Sequence, residues 1–229
     1  MRNLILMTVL LLSQAASAEY APQVFRAVKH EDGASGVRFS IPYTMGVHKG
    51  VAQQLTAIAV LNENDELVSA RFEIPIAGLK TGNDTRDCHM RESLGIDYSH
   101  SAFPSKHVCS SANLIPATGP DAVVHDKIVF DFKRYEKAHA VPLQVGVVQE
   151  VLVSGTLKIH GVRREVNALP LKLEMVRTET GAKVIKLASL FPLSLQSFGI
   201  IVKPLKVAFV SVGVGDSVTV DLNLLMAAK

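Results

Sequence analysis

The chain has 229 residues, 48% of them hydrophobic, and its 24 basic and 21 acidic side chains leave a formal net charge of +3. Basic residues are scattered rather than gathered into a stripe, which argues against a nucleic-acid groove. The apolar content is enough for one sizeable core.

The first 18 residues read as a cleaved leader. Arg2 supplies a positive start, Leu4 to Leu12 an apolar run, and Ala16-Ser17-Ala18 a small-x-small cleavage site. That run is too short to cross a hydrocarbon core of ~30 Å comfortably. No cysteine follows it to take a lipid. Cleavage after Ala18 predicts an exported mature chain from Glu19 to Lys229, one domain with no transmembrane segment.

Strand-like alternation then recurs along the chain. Val37, Phe39 and Ile41 share a face; Leu55 to Leu61 follows and breaks at the turn cluster from Asn62 to Asp65. Leu67 to Leu79 reads as one long strand with Phe72, Ile74 and Ile76 on its inner face. Lys80-Thr81-Gly82 ends it, and Asn83 or Asp84 is placed to cap a short helix reaching about Leu94, with Gly95 as its stop. A weaker run surrounds Lys106 to Leu114. Ile128, Phe130 and Phe132 alternate with Val129, Asp131 and Lys133.

Val147 to His160 is long, with Val151, Val153, Leu157 and Ile159 on one face. His160-Gly161 predicts a tight turn with His160 exposed. The next strand runs from Glu165 to Met175 with Leu169, Leu171 and Leu173 inward, and Val218 to Leu224 closes the series. About eight mostly antiparallel strands must roll up or split into two sheets to hide their edges. At ~3.4 Å per residue the longest build a barrel about 45 Å tall. Alternation alone leaves a solid β-sandwich open.

Catalytic motifs are missing. There is no Gly-x-Ser-x-Gly, no His-Glu-x-x-His, no Cys-x-x-Cys and no phosphate-cradling glycine loop before a helix. The expectation is therefore no enzyme and no resident metal. Asn83-Asp84-Thr85 fits a glycosylation triplet. His89 stands beside Asp87 and Cys88, but adjacent residues rarely ligate one ion together. Arg86, Asp87 and His89 read instead as ties from the helix to strand ends, or as polar groups at a mouth. Cys88 and Cys109 are the only cysteines, in a chain bound for a disulfide-permissive compartment. They are either a bridge or two buried thiols; a bridge over that span contributes ~3 kcal/mol.

The run Ile74-Pro75-Ile76 with Leu79-Lys80-Thr81-Gly82-Asn83, Arg86-Asp87 and His89-Met90 resembles the signature of the YceI-like family of secreted polyisoprenoid-binding proteins. Ser35 to Ser40, Val153 to Gly161 and Ser197 to Ile200 agree with that family in the same order, so the resemblance spans roughly Val24 to Met226. Lys106 departs from it, standing where the family has an aliphatic residue. The resemblance implies an all-β fold: an extended lipocalin-like antiparallel β-barrel of about eight strands with a short lid helix. It also implies a periplasmic or secreted, non-catalytic protein that holds a polyisoprenoid or other long-chain amphipathic lipid, and a bacterial source in which the glycosylation triplet is coincidence.

The expected apolar wall is Phe39, Phe72, Ile74, Ile76, Phe130, Phe132, Val153, Leu157, Leu171 and Leu173, with Arg86, Asp87 and His89 at the mouth. Any wall residue is equally readable as plain core. The bound partner is an isoprenoid or fatty amphiphile, with no nucleic acid and no cofactor besides that lipid; a homodimer is left open. Two rival readings remain. One is a solid barrel that binds another envelope protein, and the other a haem or redox accessory using His89 and the cysteines.

Overall fold

The computed structural model describes residues 22–28, 35–94, 127–136, 140–201, 205–207 and 210–228. The predicted Lys106–Leu114 strand, Gly95, Cys109 and the leader lie outside them. Short strands open the chain: β1 (Gln23–Ala27), β2 (Gly36–Tyr43), β3 (Gly46–Ala52) and β4 (Thr56–Leu61). Next come β5 (Leu67–Pro75), β6 (Leu79–Lys80), the helix α1 (Asp84–Ser93) and β7 (Lys127–Tyr135). The long strands are β8 (Val148–Ile159), β9 (Val162–Arg177), β10 (Lys183–Ser194) and β13 (Ser217–Ala228). A small separate pair, β11 (Leu205–Val207) and β12 (Val210–Val212), precedes the last of these.

Eight antiparallel strands close into a barrel in the order β1-β4-β5-β7-β8-β9-β10-β13, with β13 returning to β1. Closure comes from a division of labour along β13. Its end, Met226 to Ala228, pairs with β1, whereas Thr219 to Asn223 pairs with β2. Strands β2, β3 and β6 thus extend the wall upward on that side, and β6 rejoins β5 through a short 3-10 turn at Ile76–Gly78.

That turn corrects the expected Leu67–Leu79 strand. Pro75 has no N–H to continue a ladder. Gly78 lies so close to Gln53 that a Cβ there would be 2.2 Å from its carbonyl oxygen. Gln53 N–H donates to the Gly78 carbonyl at 2.7 Å, locking the chain where the strand is interrupted.

Strands β1, β3 and β10 were not foreseen. β10 carries apolar residues on both faces, with Ala188, Leu190 and Pro192 alternating against Leu187, Ser189 and Phe191, so its period of two is blurred. The turn after β8 is as expected, with His160 and Gly161 both at positive φ (52° and 75°), although His160 is half-buried rather than exposed.

Two clusters fill the interior. A lower one includes Phe25, Leu61, Leu67, Leu173, Met175, Ile185 and Met226; an upper one includes Ile76, Leu79, Cys88, Leu157, Ile159, Phe198 and Ile200. Phe198 plugs the upper end from a 3-10 turn, which Gly199 ends at φ 71°.

Candidate ligand-binding cavity

Between the two clusters lies a cavity of about 330 Å3. That is near the low end of the ~300–1,000 Å3 of small-molecule sites, suited to a slender guest. Phe39, Phe72, Ile74, Phe130, Phe132, Val153, Leu157 and Leu171 all line it. Ile76 and Leu173 do not. Ile76 is fully buried in the 3-10 turn, where the alternation of β5 no longer applies. Leu173 faces inward as expected, but at the level of the lower cluster.

Two aromatic walls are set by glycines on neighbouring strands. Phe39 is opposite Gly50 in the β2–β3 register, and a Cβ on Gly50 would lie 2.2 Å from the ring. A Cβ on Gly155 would lie 2.4 Å from the Phe130 ring and 2.5 Å from the Asp131 carbonyl. Each ring lies flat over backbone that has no side chain to displace it. Phe72 and Phe130 are directly paired across β5 and β7, with ring centres 5.9 Å apart.

Polar atoms gather where α1 meets β3 and β6. Asn83 caps the helix, its Oδ1 accepting from the Arg86 N–H at 2.9 Å. Asp87 is 1% exposed, and its Oδ1 accepts from both the N–H and the hydroxyl of Thr81, at 2.8 and 2.5 Å. Arg86 donates to the same hydroxyl (2.8 Å), to the Thr81 carbonyl (2.9 Å) and to His48 Nδ1 (3.1 Å). The helix is thus tied to the strand end at Thr81 by Arg86 and Asp87 together. His89 takes no part in the tie. It is exposed at the cavity rim, 3.8 Å from the Glu92 carboxylate.

His48 is the residue the sequence did not reveal. It lines the cavity, and its ring stacks on Tyr43 at 3.9 Å with an interplanar angle of 3°. A guanidinium only donates, so Nδ1 must accept and the imidazole proton sits on Nε2. Burial, and then the Arg86 charge, hold the His48 pKa below its ordinary value of 6.5.

The sign follows from linkage: the unfolded chain takes up this proton first. The stabilising tie is therefore present above about pH 6.5 and is lost as pH falls from there through the lower folded value. An NMR titration is expected to place His48 below an unperturbed histidine. Amide exchange at Arg86 and Asp87 should quicken over the same interval, and unchanged exchange there would remove the role given to His48.

The cysteine and His89 side chains do not converge. Cys88 is 1% exposed under the helix while His89 is exposed at the rim. Among the described residues no group of three or more His, Cys, Asp or Glu is placed to hold a metal, and no cysteine is free. Cys109 lies outside the described residues. Alkylation of the native protein without reductant is expected to modify neither cysteine, and reduction to lower stability by ~3 kcal/mol. Two thiols tagged before reduction would exclude the bridge and restore the thiolate-ligand reading.

The family model for the YceI-like domain matches residues 29–226. Similar solved structures include a polyisoprenoid binding domain from Saccharophagus degradans, at 15% identity and a TM-score of 0.58, covering 90% of this chain and 98% of that one. A YceI protein from Campylobacter jejuni is 16% identical with a TM-score of 0.55, covering 80% and 85%. BcnA from Burkholderia cenocepacia is 14% identical with a TM-score of 0.53, covering 83% and 94%. At these identities the likeness concerns the fold. No curated protein matches the chain.

Proposed function

Because this chain belongs to the YceI-like family, we propose that it is an exported carrier holding a polyisoprenoid or similar long amphipathic lipid in the barrel, without catalysis or another cofactor. One observation carries the reading. The cavity wall is apolar from Leu67 and Ala70 at its lower end to Ile200 and Leu195 at its upper end, and most of its polar groups cluster beside α1. An apolar chain gains ~25 cal/mol for each Å2 it hides from water, so such a wall binds by burial alone. Arg86 retains N–H donors beyond its three bonds and lines the cavity, which suits a headgroup rich in acceptor oxygens.

The leader expected at Ala16-Ser17-Ala18 would deliver the carrier to the periplasm or the outside, where membrane lipids are accessible. Native mass spectrometry of protein purified from its own host is expected to show one lipid per chain, with Glu19 as first residue. Lipid-free protein that also binds no added isoprenoid would leave the barrel a protein-interaction module.

A further inference from the structure

The wall between β9 and β10 is paired along only part of its length. The two strands are in register from Lys183 opposite Arg177 to Ala188 opposite Lys172. Beyond that point β10 continues with β13 alone, as far as Ser194 opposite Ser217, and β9 continues with β8 alone, as far as Val162 opposite Ile159. Among the described residues two hydrogen bonds bridge the gap. Ser189 Oγ donates to the Pro170 carbonyl at 2.6 Å, and Arg164 Nε donates to the Ser197 carbonyl at 3.0 Å.

The parting has a local cause. Pro170 brings no N–H to the ladder, and Ala168 sits in left-handed backbone at φ 55°, beside a register shift between Val153 and Gly155. The sequence therefore opens a slit between these two strands above Ala188.

The slit leads into the cavity. Leu169, Pro170 and Leu171 line that cavity from one edge, and Ser189, Phe191 and Leu193 from the other. Outside, the surface changes character at the same height. Below the parting, the outer faces of these strands carry ion pairs, Glu150 with Lys172 at 2.7 Å and Glu174 with Lys186 at 3.2 Å. At the parting they carry Leu152 (43% exposed), Pro170 directly opposite it, and Leu190 (62% exposed), whose place two residues past the last pair brings it level with Pro170. Uncharged side chains thus cross three strands at the height where the β9–β10 ladder ends.

We propose that this slit is a side portal through which the apolar chain of a lipid passes between a bilayer and the cavity, with Leu152, Pro170 and Leu190 as the surface that meets the lipid phase. The proposal rests on the lipid-binding reading above. A chain sliding sideways between the strands passes apolar edges and parts the Ser189–Pro170 hydrogen bond, whereas passage over α1 would take it across Arg86 and His89.

The test uses retinol, a fluorescent isoprenoid, delivered to the full-length mature protein either from phosphatidylcholine vesicles or dispersed in detergent. Leu152→Glu with Leu190→Glu places two carboxylates outside the portal, at exposed positions that do not line the cavity. Uptake from vesicles is expected to slow at least about tenfold, equivalent to ~1.4 kcal/mol on the barrier. Retinol content after detergent loading is expected to match the wild type. Met45→Glu, at a 71% exposed apolar site on the β2–β3 turn, serves as the control and should load at the wild-type rate. In a second variant, Pro170→Cys with Leu190→Cys, joining the pair with a short bis-maleimide should slow uptake from vesicles relative to the same variant before joining.

Equal rates for the glutamate pair and the wild type, or slowing by Met45→Glu instead, would overturn the portal while leaving the carrier intact. If the wild type takes up retinol by neither route, the carrier reading itself fails, and the portal with it.

Discussion

Replacing Phe25 by Ala is expected to destabilise the protein by about 3–5 kcal/mol, the range for removing a buried aromatic ring from a core. Phe25 is fully buried on β1, the strand that closes the barrel by pairing with β4 on one side and β13 on the other. Its two register partners are Ala59 and Ala228, so the ring occupies space that neither neighbour can fill. Around it lie Leu61, Leu173, Met175 and Met226, all essentially inaccessible to water and all on strands fixed by their own ladders. They cannot collapse into the void without breaking register. For a domain of this size the loss corresponds to a fall in Tm of roughly 6–20 °C. Urea unfolding of Phe25→Ala against wild type measures it. A change below about 1 kcal/mol would mean that β1 contributes little to closure.

The sequence carried the fold through its period-two strands and lost it where both faces were apolar or where glycine intervened. β7, β8, β9 and β13 were legible because polar residues mark their outer faces. β3 was not. Its alternation is broken by Gly46 and Gly50, and Gly50 is bare because the Phe39 ring covers it, a reason that lies on another strand. β10 was hidden by Leu190 and Pro192, and those outward apolar residues belong to the strand edge that borders the slit.

The wall residues show a second limit. Alternation reports which side of a strand faces inward, and on that basis Phe39, Phe72, Phe130 and Leu171 were found. It does not report height along the barrel, which is why Leu173 joined them although the cavity ends above it, at Leu171 on the same strand. Ile76 failed for another reason, because the 3-10 turn after Pro75 resets the period. His48 gave no signal at all. One histidine among eight, on a strand that was not recognised, is identified only by the Arg86 guanidinium that reaches it from 38 residues away.

Opposite changes to the wall should weaken lipid binding in two distinguishable ways. Ala70 lines the lower part of the cavity, two residues before Phe72 on β5, and is 5% exposed. In Ala70→Phe the added ring projects into the space a chain would fill. If it displaces three methylenes at ~0.8 kcal/mol each, affinity for a long chain falls by ~2.4 kcal/mol, roughly fifty-fold. A shorter chain that never reached this depth should lose much less. Phe130→Leu acts the other way. It takes away the ring that covers Gly155 and faces Phe72, widening the cavity at mid-height while keeping it apolar. Its stability cost should stay below the ~3–5 kcal/mol of truncating a core Phe to Ala, because this ring is only partly buried. Lipid recovered per mole of folded protein, with chain length read by mass spectrometry and Tm measured alongside, separates the two. Ala70→Phe should retain only shorter chains, whereas Phe130→Leu should hold long chains more loosely. If both variants retain the wild-type lipid in wild-type amounts, the lipid lies somewhere other than this cavity.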